Sequence, residues 1–421
     1  MSQPTRILLA LITGLLGGIL VASWSPNAAE ALIPIAQPIG TAWLNGLQMT
    51  IVPLVVSLLI TGVASTAEAA RAGRLAGRAI LLFVGVLFCT ATMSAILSPL
   101  IVRTFPLPAE SAASLRAALT DAGPVAPTPP IADLLAAVVP TNIVAAAGAN
   151  AFLSIIIFTL VFAFAILKIE PVGRERLTGF FTAVRDTMLV VVGWVLVLAP
   201  IGVFALAFVV GGRAGVAAFG ALLHYIFAVS AIGVVVYLGS FLLASFGGKI
   251  GPVRFLRASF PAQAVAISTQ SSLATLPAML KVARGLGIPV ATSGVVLPLA
   301  VAIFRGTQPA MNIAVSIYIA AWLGIPLTPG LLVAAVIVGA LTSLGSASLP
   351  SQITFVSAIA PIAGVLGVPL APLGLLIAVE TIPDIFRTLG NVMMDLAATS
   401  TISRRNGDVW DDGEDEVVIS P

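Results

Sequence analysis

The sequence predicts an all-α integral membrane protein: eight membrane-spanning helices plus two re-entrant helical hairpins, arranged as inverted repeats. Three observations carry this. First, 59% of the 421 residues are hydrophobic and 9% charged, with mean hydropathy +1.12, against roughly 25% charged residues in a soluble domain. Second, arginine and lysine concentrate in every second connection between apolar runs, the pattern of cytoplasmic loops. Third, two Ser- and Pro-interrupted apolar stretches occur at matching places in the last third of the chain. Such breaks free backbone N–H and C=O groups at membrane depth, which is tolerable only inside protein or along an aqueous cavity.

The first span is expected over 6–24 and ends at Trp24, a residue suited to the interface. It has no convincing small-residue cleavage site and reads as a retained helix. The second, 43–65, contains Met49-Thr50-Ile51-Val52-Pro53-Leu54, where Pro53 is expected to kink the helix without ending it. The third covers 80–102. A proline-broken connection, 105–130, reads as a surface loop. The fourth segment, 131–167, is long for one span and is interrupted at Pro140-Thr141-Asn142 and Ala149-Asn150, so broken helical pieces are expected. The fifth and sixth spans cover 187–209 and 218–246.

Basic residues follow the second span (Arg71, Arg74, Arg78), the fourth (Lys168, Arg174, Arg176) and the sixth (Lys249, Arg254, Arg257). The rule that positive loops face the cytoplasm then puts both termini inside. The acidic end, 411–416, reads as a solvated tail. The lone Cys89 excludes an intramolecular disulfide and reads as a small buried hydrophobe. His224, beside Tyr225, is a weak proton-shuttle candidate. A net charge of +3 gives no reason to expect nucleic acid.

The last third repeats itself. Ser271-Ser272-Leu273-Ala274-Thr275-Leu276-Pro277 precedes Leu286-Gly287-Ile288-Pro289, and Ser346-Ala347-Ser348-Leu349-Pro350-Ser351 precedes Leu366-Gly367-Val368-Pro369. Each unit is followed by a helix with an unexpected arginine, Arg305 and then Arg387. The first hairpin is expected over 260–281 from inside, the seventh span over 295–323, the second hairpin over 331–365 from outside, and the eighth span over 370–402. Interrupted segments at matching places in two halves point to a transporter site.

The eighth span carries the chemistry. At about 100° per residue, Glu380, Asp384, Arg387, Thr388, Asn391 and Asp395 share one face. Charges in a membrane helix turn to protein, water or ligand, because each bare charge in lipid costs about 3 kcal/mol or more. This face therefore reads as the floor of a substrate and ion site.

At these residues the chain resembles the dicarboxylate/amino acid:cation symporter family, the glutamate transporter homologues, over nearly its whole length. Met49-Thr50-Ile51-Val52-Pro53-Leu54 and Pro140-Thr141-Asn142 look like motifs of that family. Ser271-Ser272-Leu273-Ala274-Thr275-Leu276-Pro277 is similar to its first hairpin tip. Asp384-x-x-Arg387-Thr388-x-x-Asn391-x-x-x-Asp395 is similar to its eighth-helix signature. The resemblance implies a glutamate-transporter-like fold. Residues 1–246 would form the scaffold and oligomer contacts, 247–403 the transport core, and 404–421 a cytoplasmic tail.

The resemblance also implies roles. Arg387 would clamp a substrate carboxylate, Asp384 would take an α-ammonium, and Thr388 and Asn391 would hydrogen-bond substrate. The tips at Ser271-Ser272 and Leu349-Pro350-Ser351 would close over it. Asp395, with Asn391 and Gly306, would hold sodium. A homotrimer with elevator-like movement in the inner (plasma) membrane would follow, surrounded by lipid and without a covalent cofactor.

One departure matters. Where the family carries a seventh-helix carboxylate, this chain has Phe304-Arg305-Gly306-Thr307. Arg305 then reads as a fixed counter-ion in place of a bound sodium, with Glu380 or Asp384 as the rival, proton-coupled route. The implied function is symport of acidic amino acids (aspartate or glutamate) with sodium, protons or both. The alternative is a C4-dicarboxylate symporter, or a diverged member with changed substrate and reduced or sodium-independent ion coupling. Asp384 favours the amino acid, since a plain diacid has no ammonium to meet it. No Ser-His-Asp set, phosphate loop or metal-ligand cluster suggests an enzyme.

Overall fold

The computed structural model describes residues 3–71, 73–107, 112, 139–344, 351–408 and 410. Prolines set many of its helix boundaries. Helices α1 (Gln3–Trp24), α2 (Pro26–Gln48), α3 (Ile51–Arg71) and α4 (Arg74–Thr104) open the chain. The expected second span, 43–65, is corrected: a full helix, α2, precedes it, and the chain turns at Met49 and Thr50. Pro53 has no N–H to offer the carbonyl of residue 49, and it sits in the first turn of α3, where none is needed. It starts a helix instead of kinking one. Pro34 and Pro38, which break the apolar pattern, lie inside α2.

The expected breaks in the fourth segment are present. In α5 (Ile143–Gly148) Asn142 is the cap, its Oδ1 accepting the Val144 N–H at 2.9 Å and the Ala145 N–H at 3.1 Å. Asn150, at φ +53°, leads into α6 (Phe152–Ile166). Most of the 105–130 connection lies outside the described residues.

The expected fifth span, 187–209, is two helices, α7 (Pro171–Val197) and α8 (Ala199–Ala214). Pro200 removes the donor that the Leu196 carbonyl would receive in a continuous helix. That carbonyl instead accepts from Gln3 Nε2 at 2.9 Å, and the Val195 carbonyl accepts from Trp43 Nε1 at 3.0 Å. The break is thus tied to α1 and α2. Helix α8 also packs closely on α1. A Cβ at Gly18 would lie 2.2 Å from the Phe208 carbonyl oxygen, and one at Gly211 would lie 2.3 Å from that of Leu15. Small residues permit such approach between membrane helices.

Helix α9 (Ala217–Leu242) ends in a π turn, Leu243–Gly247. The first hairpin is α10 (Pro252–Thr269) and α11 (Ser272–Gly285), turning at Gln270 with φ +49°. The expected seventh span, 295–323, is broken into α12 (Val290–Ile303) and α13 (Gln308–Leu323). Pro309, in the first turn of α13, cannot donate to the Arg305 carbonyl, so the helix restarts. The second hairpin's arms are α14 (Pro329–Leu344) and α15 (Ser351–Val365). Its turn, with Leu349 and Pro350, and the Ser351 side chain lie outside the described residues. The expected eighth span, 370–402, is also split, into α16 (Ala371–Leu376) and α17 (Thr381–Asn406). Pro383, third in α17, acts as Pro53 does.

Among the described residues, six helical stretches are long and apolar enough to cross a membrane, and α17 is not one of them. It sits inside the protein, with residues 390–403 all buried. Its neighbours include α9, α10, α11 and α12. Apolar side chains such as Trp194, Val197 and Ile201 instead face outward, as lipid-facing residues do. Cys89 is corrected as well: it is exposed on α4.

Candidate functional site

Helix α17 begins one residue after Glu380 and presents the expected polar face. Glu380, Asp384, Arg387, Thr388, Asn391 and Asp395 are all buried. Burial of so much charge is tolerable only where each group finds partners. Arg387 finds three: Nη2 donates to Glu380 Oε1, Nη1 donates to Asn312 Oδ1 at 2.8 Å, and Nε lies 3.5 Å from Asp384 Oδ1. The other oxygen of Glu380 accepts from Tyr225 Oη at 2.7 Å. Three elements thus hold one guanidinium: α17, α13 through Asn312, and α9 through Tyr225.

The break between α12 and α13 docks onto the same face. Thr307 N–H donates to Asn391 Oδ1 at 2.9 Å. The Thr307 hydroxyl lies 2.7 Å from the Arg387 carbonyl oxygen and 2.5 Å from Asn391 Oδ1. Gly390 makes room for it, because a Cβ there would lie 2.3 Å from Thr307 Cγ2. Gly306, in the same break, packs against Met394.

Asp395 is different. It is fully buried, and neither carboxylate oxygen takes a hydrogen bond among the described residues. Arg305 is a charge that acts on it. Asn391 Oδ1, the other side-chain oxygen expected to meet sodium, already accepts the Thr307 N–H.

A narrow cleft, with about 10 Å³ of free space, opens beside this cluster, lined by Arg305, Gln308, Asn312, Thr354, Phe355, Ala358 and Arg387. It lies between α13, α17 and the second hairpin arm α15. Asn312 Nδ2 reaches the Ala358 carbonyl at 3.5 Å, which ties that arm to the Arg387 network. The first hairpin approaches from the opposite repeat. Ser271 caps α11, its Oγ accepting the Ala274 N–H at 3.2 Å, and Gln270 Nε2 donates to the Thr381 carbonyl at 3.3 Å. Gln270 thus meets the start of α17, and neither Ser271 nor Ser272 lines the cleft.

The sequence reading missed Tyr225, Thr307, Asn312 and Gln308. Each lies on an element distant in the chain from α17; Tyr225 and Glu380 are 155 residues apart. Thr307 stood within the diverged motif, and Tyr225 beside the singled-out histidine. His224 Nδ1 lies 3.2 Å from Tyr318 Oη, and Tyr318 packs edge-on to Tyr225. The one histidine is therefore two side chains from Glu380.

Residues 4–405 match the sodium:dicarboxylate symporter family. The chain is 29% identical to a proton/sodium-glutamate symport protein of Bacillus subtilis, covering 99% of this chain and 95% of that one. It is 27% identical to a proton/glutamate-aspartate symporter of Escherichia coli, covering 96% and 92%. It is 25% identical to a C4-dicarboxylate transport protein of Deinococcus radiodurans, covering 96% and 89%.

Proposed function

The chain belongs to the sodium:dicarboxylate symporter family, and from that premise we propose that it is a secondary active symporter of small acids bearing two carboxylates. Acidic amino acids and C4-dicarboxylates are the two substrate classes its relatives' names supply. The observation that carries this reading is a buried guanidinium, Arg387, at the wall of a cleft between the two repeats. A planar fork binds a carboxylate bidentately, and a desolvated site makes that contact strong. Glu380 and Asp384 neutralise Arg387; an entering carboxylate competes with them for its donors.

Coupling to a cation follows from Asp395. A fully buried carboxylate without a hydrogen bond is costly, and sodium with its hard oxygen ligands, or a proton, relieves that cost. Sodium and protons both belong to the reading as transported ions. We further assign elevator-type movement of the hairpin-bearing core, a homotrimer in the plasma membrane, and cytoplasmic termini. The support is the family, the outward apolar faces and the basic loops.

Uptake of labelled aspartate, glutamate and succinate into proteoliposomes, under imposed sodium or proton gradients, tests the reading. Arg387→Ala is expected to lower uptake of every acid about 100-fold, the scale of a lost buried charge partner. Undiminished uptake in that variant would remove Arg387 from the site.

A further inference from the structure

Symport gives Arg387 a substrate and leaves Arg305 without one. Arg305 stands in the break between α12 and α13, where the family resemblance expects a carboxylate. It is half-buried and lines the same cleft as Arg387. The rest of the wall is neutral: Gln308, Asn312, Thr354, Phe355 and Ala358. Glu380 and Asp384 engage Arg387 but are not part of the wall, so among the described residues its only charges are two guanidiniums.

A wall with two guanidiniums and no carboxylate suits a ligand that is negative at both ends. Each end of a diacid offers a planar carboxylate to a guanidinium fork. An ammonium at the same wall meets two guanidiniums, while the nearby carboxylates of Asp384 and Glu380 are engaged with Arg387, and like-charge juxtaposition disfavours the ligand that carries it. We propose that Arg305 is a specificity-determining, substrate-binding residue: it holds the second carboxylate of a diacid whose first is held by Arg387. The cleft then takes succinate-like C4-dicarboxylates ahead of acidic amino acids. This rests on the symport reading and on Arg387 as the first carboxylate's partner.

The test compares the KM for succinate and for aspartate in proteoliposomes of the wild type, Arg305→Met and Arg305→Lys. The wild type is expected to prefer succinate. Arg305→Met should raise the succinate KM at least about tenfold, the scale of a lost charged hydrogen bond, and move the preference toward aspartate. Arg305→Lys should recover part of the loss. Sodium and pH dependence should stay as in the wild type. A succinate KM within about twofold of wild type in Arg305→Met, above all with a changed cation requirement, overturns the proposal and makes Arg305 a counter-ion of Asp395.

If neither variant folds, the wild type still decides. Succinate should raise its melting temperature in detergent more than monomethyl succinate does, and equal stabilisation overturns the second carboxylate contact. A wild type that takes up aspartate but not succinate overturns the proposal and leaves symport standing. A wild type that takes up neither overturns both.

Discussion

At the scale of single residues, the centre of the molecule is a carboxylate with two donors. Glu380 is fully buried and held by Arg387 on one oxygen and Tyr225 on the other. Removing one donor leaves part of a buried charge unsatisfied, which costs about 1–3 kcal/mol. Tyr225→Phe is therefore expected to lower the melting temperature of the purified protein, since phenylalanine keeps the shape and loses only the hydroxyl. Combined with Glu380→Gln, the loss should be smaller than the sum of the two single losses, as for groups in direct contact. An unchanged melting temperature in Tyr225→Phe would show that the hydroxyl does not support the carboxylate. The charged residues of this cluster, Arg387 included, were readable in the sequence, because a charge inside an apolar helix stands out. Its partners were not. Tyr225, Thr307 and Asn312 are ordinary residues in membrane helices, and only folding brings them to α17.

At the scale of elements, the expected spans located most of the helices, missed the body of α2 and misjudged several ends. The second, fifth, seventh and eighth spans were each read as continuous, and the structure restarts a helix in each. In all four a proline lies in the first turn of the new helix: Pro53, Pro200, Pro309 and Pro383. Hydropathy does not register this, because both sides of the break are equally apolar. The local chemistry does, since proline withholds one N–H and crowds the carbonyl four residues back. The break at Pro309 matters most, as it places Arg305 at the cleft and Thr307 on Asn391. The Arg305 carbonyl now accepts the Gln308 N–H at 3.0 Å; Pro309→Ala supplies the donor four residues on that a continuous helix needs and so favours one. Its expected outcome is transport lost by about tenfold or more, as small misplacements at a reacting site cost, with a melting temperature no lower than wild type. Retained transport in this variant would mean that the break is held by packing alone.

At the scale of the whole molecule, contacts gather distant basic segments at one end. Arg78, after α3, donates to Asn406 Oδ1 at 3.0 Å, and Arg404 Nε donates to the Gly248 carbonyl at 3.3 Å, next to Lys249. Thr292, at the start of α12, donates to Asp408 Oδ2 at 2.5 Å, and Arg404 stacks over Trp410 at 3.7 Å. Both feet of the first hairpin therefore stand at the C-terminal end of α17, while Gln270 at its tip reaches Thr381 at the other end. The sequence supplied the charges and the alternation of loops; the hydrogen bonds supply the common end. Positive charge gathered at one end of a membrane protein marks its cytoplasmic side. Single cysteines at Arg74, Lys249 and Asn406, each placed in a Cys89→Ser background because Cys89 is itself exposed, test this together. All three should react with a membrane-impermeant maleimide in inside-out vesicles and stay unreactive in right-side-out ones. Labelling of Lys249→Cys from the opposite side to the other two would break the common end, and with it the path of the first hairpin along α17. Labelling of all three from outside would keep the fold and reverse its orientation.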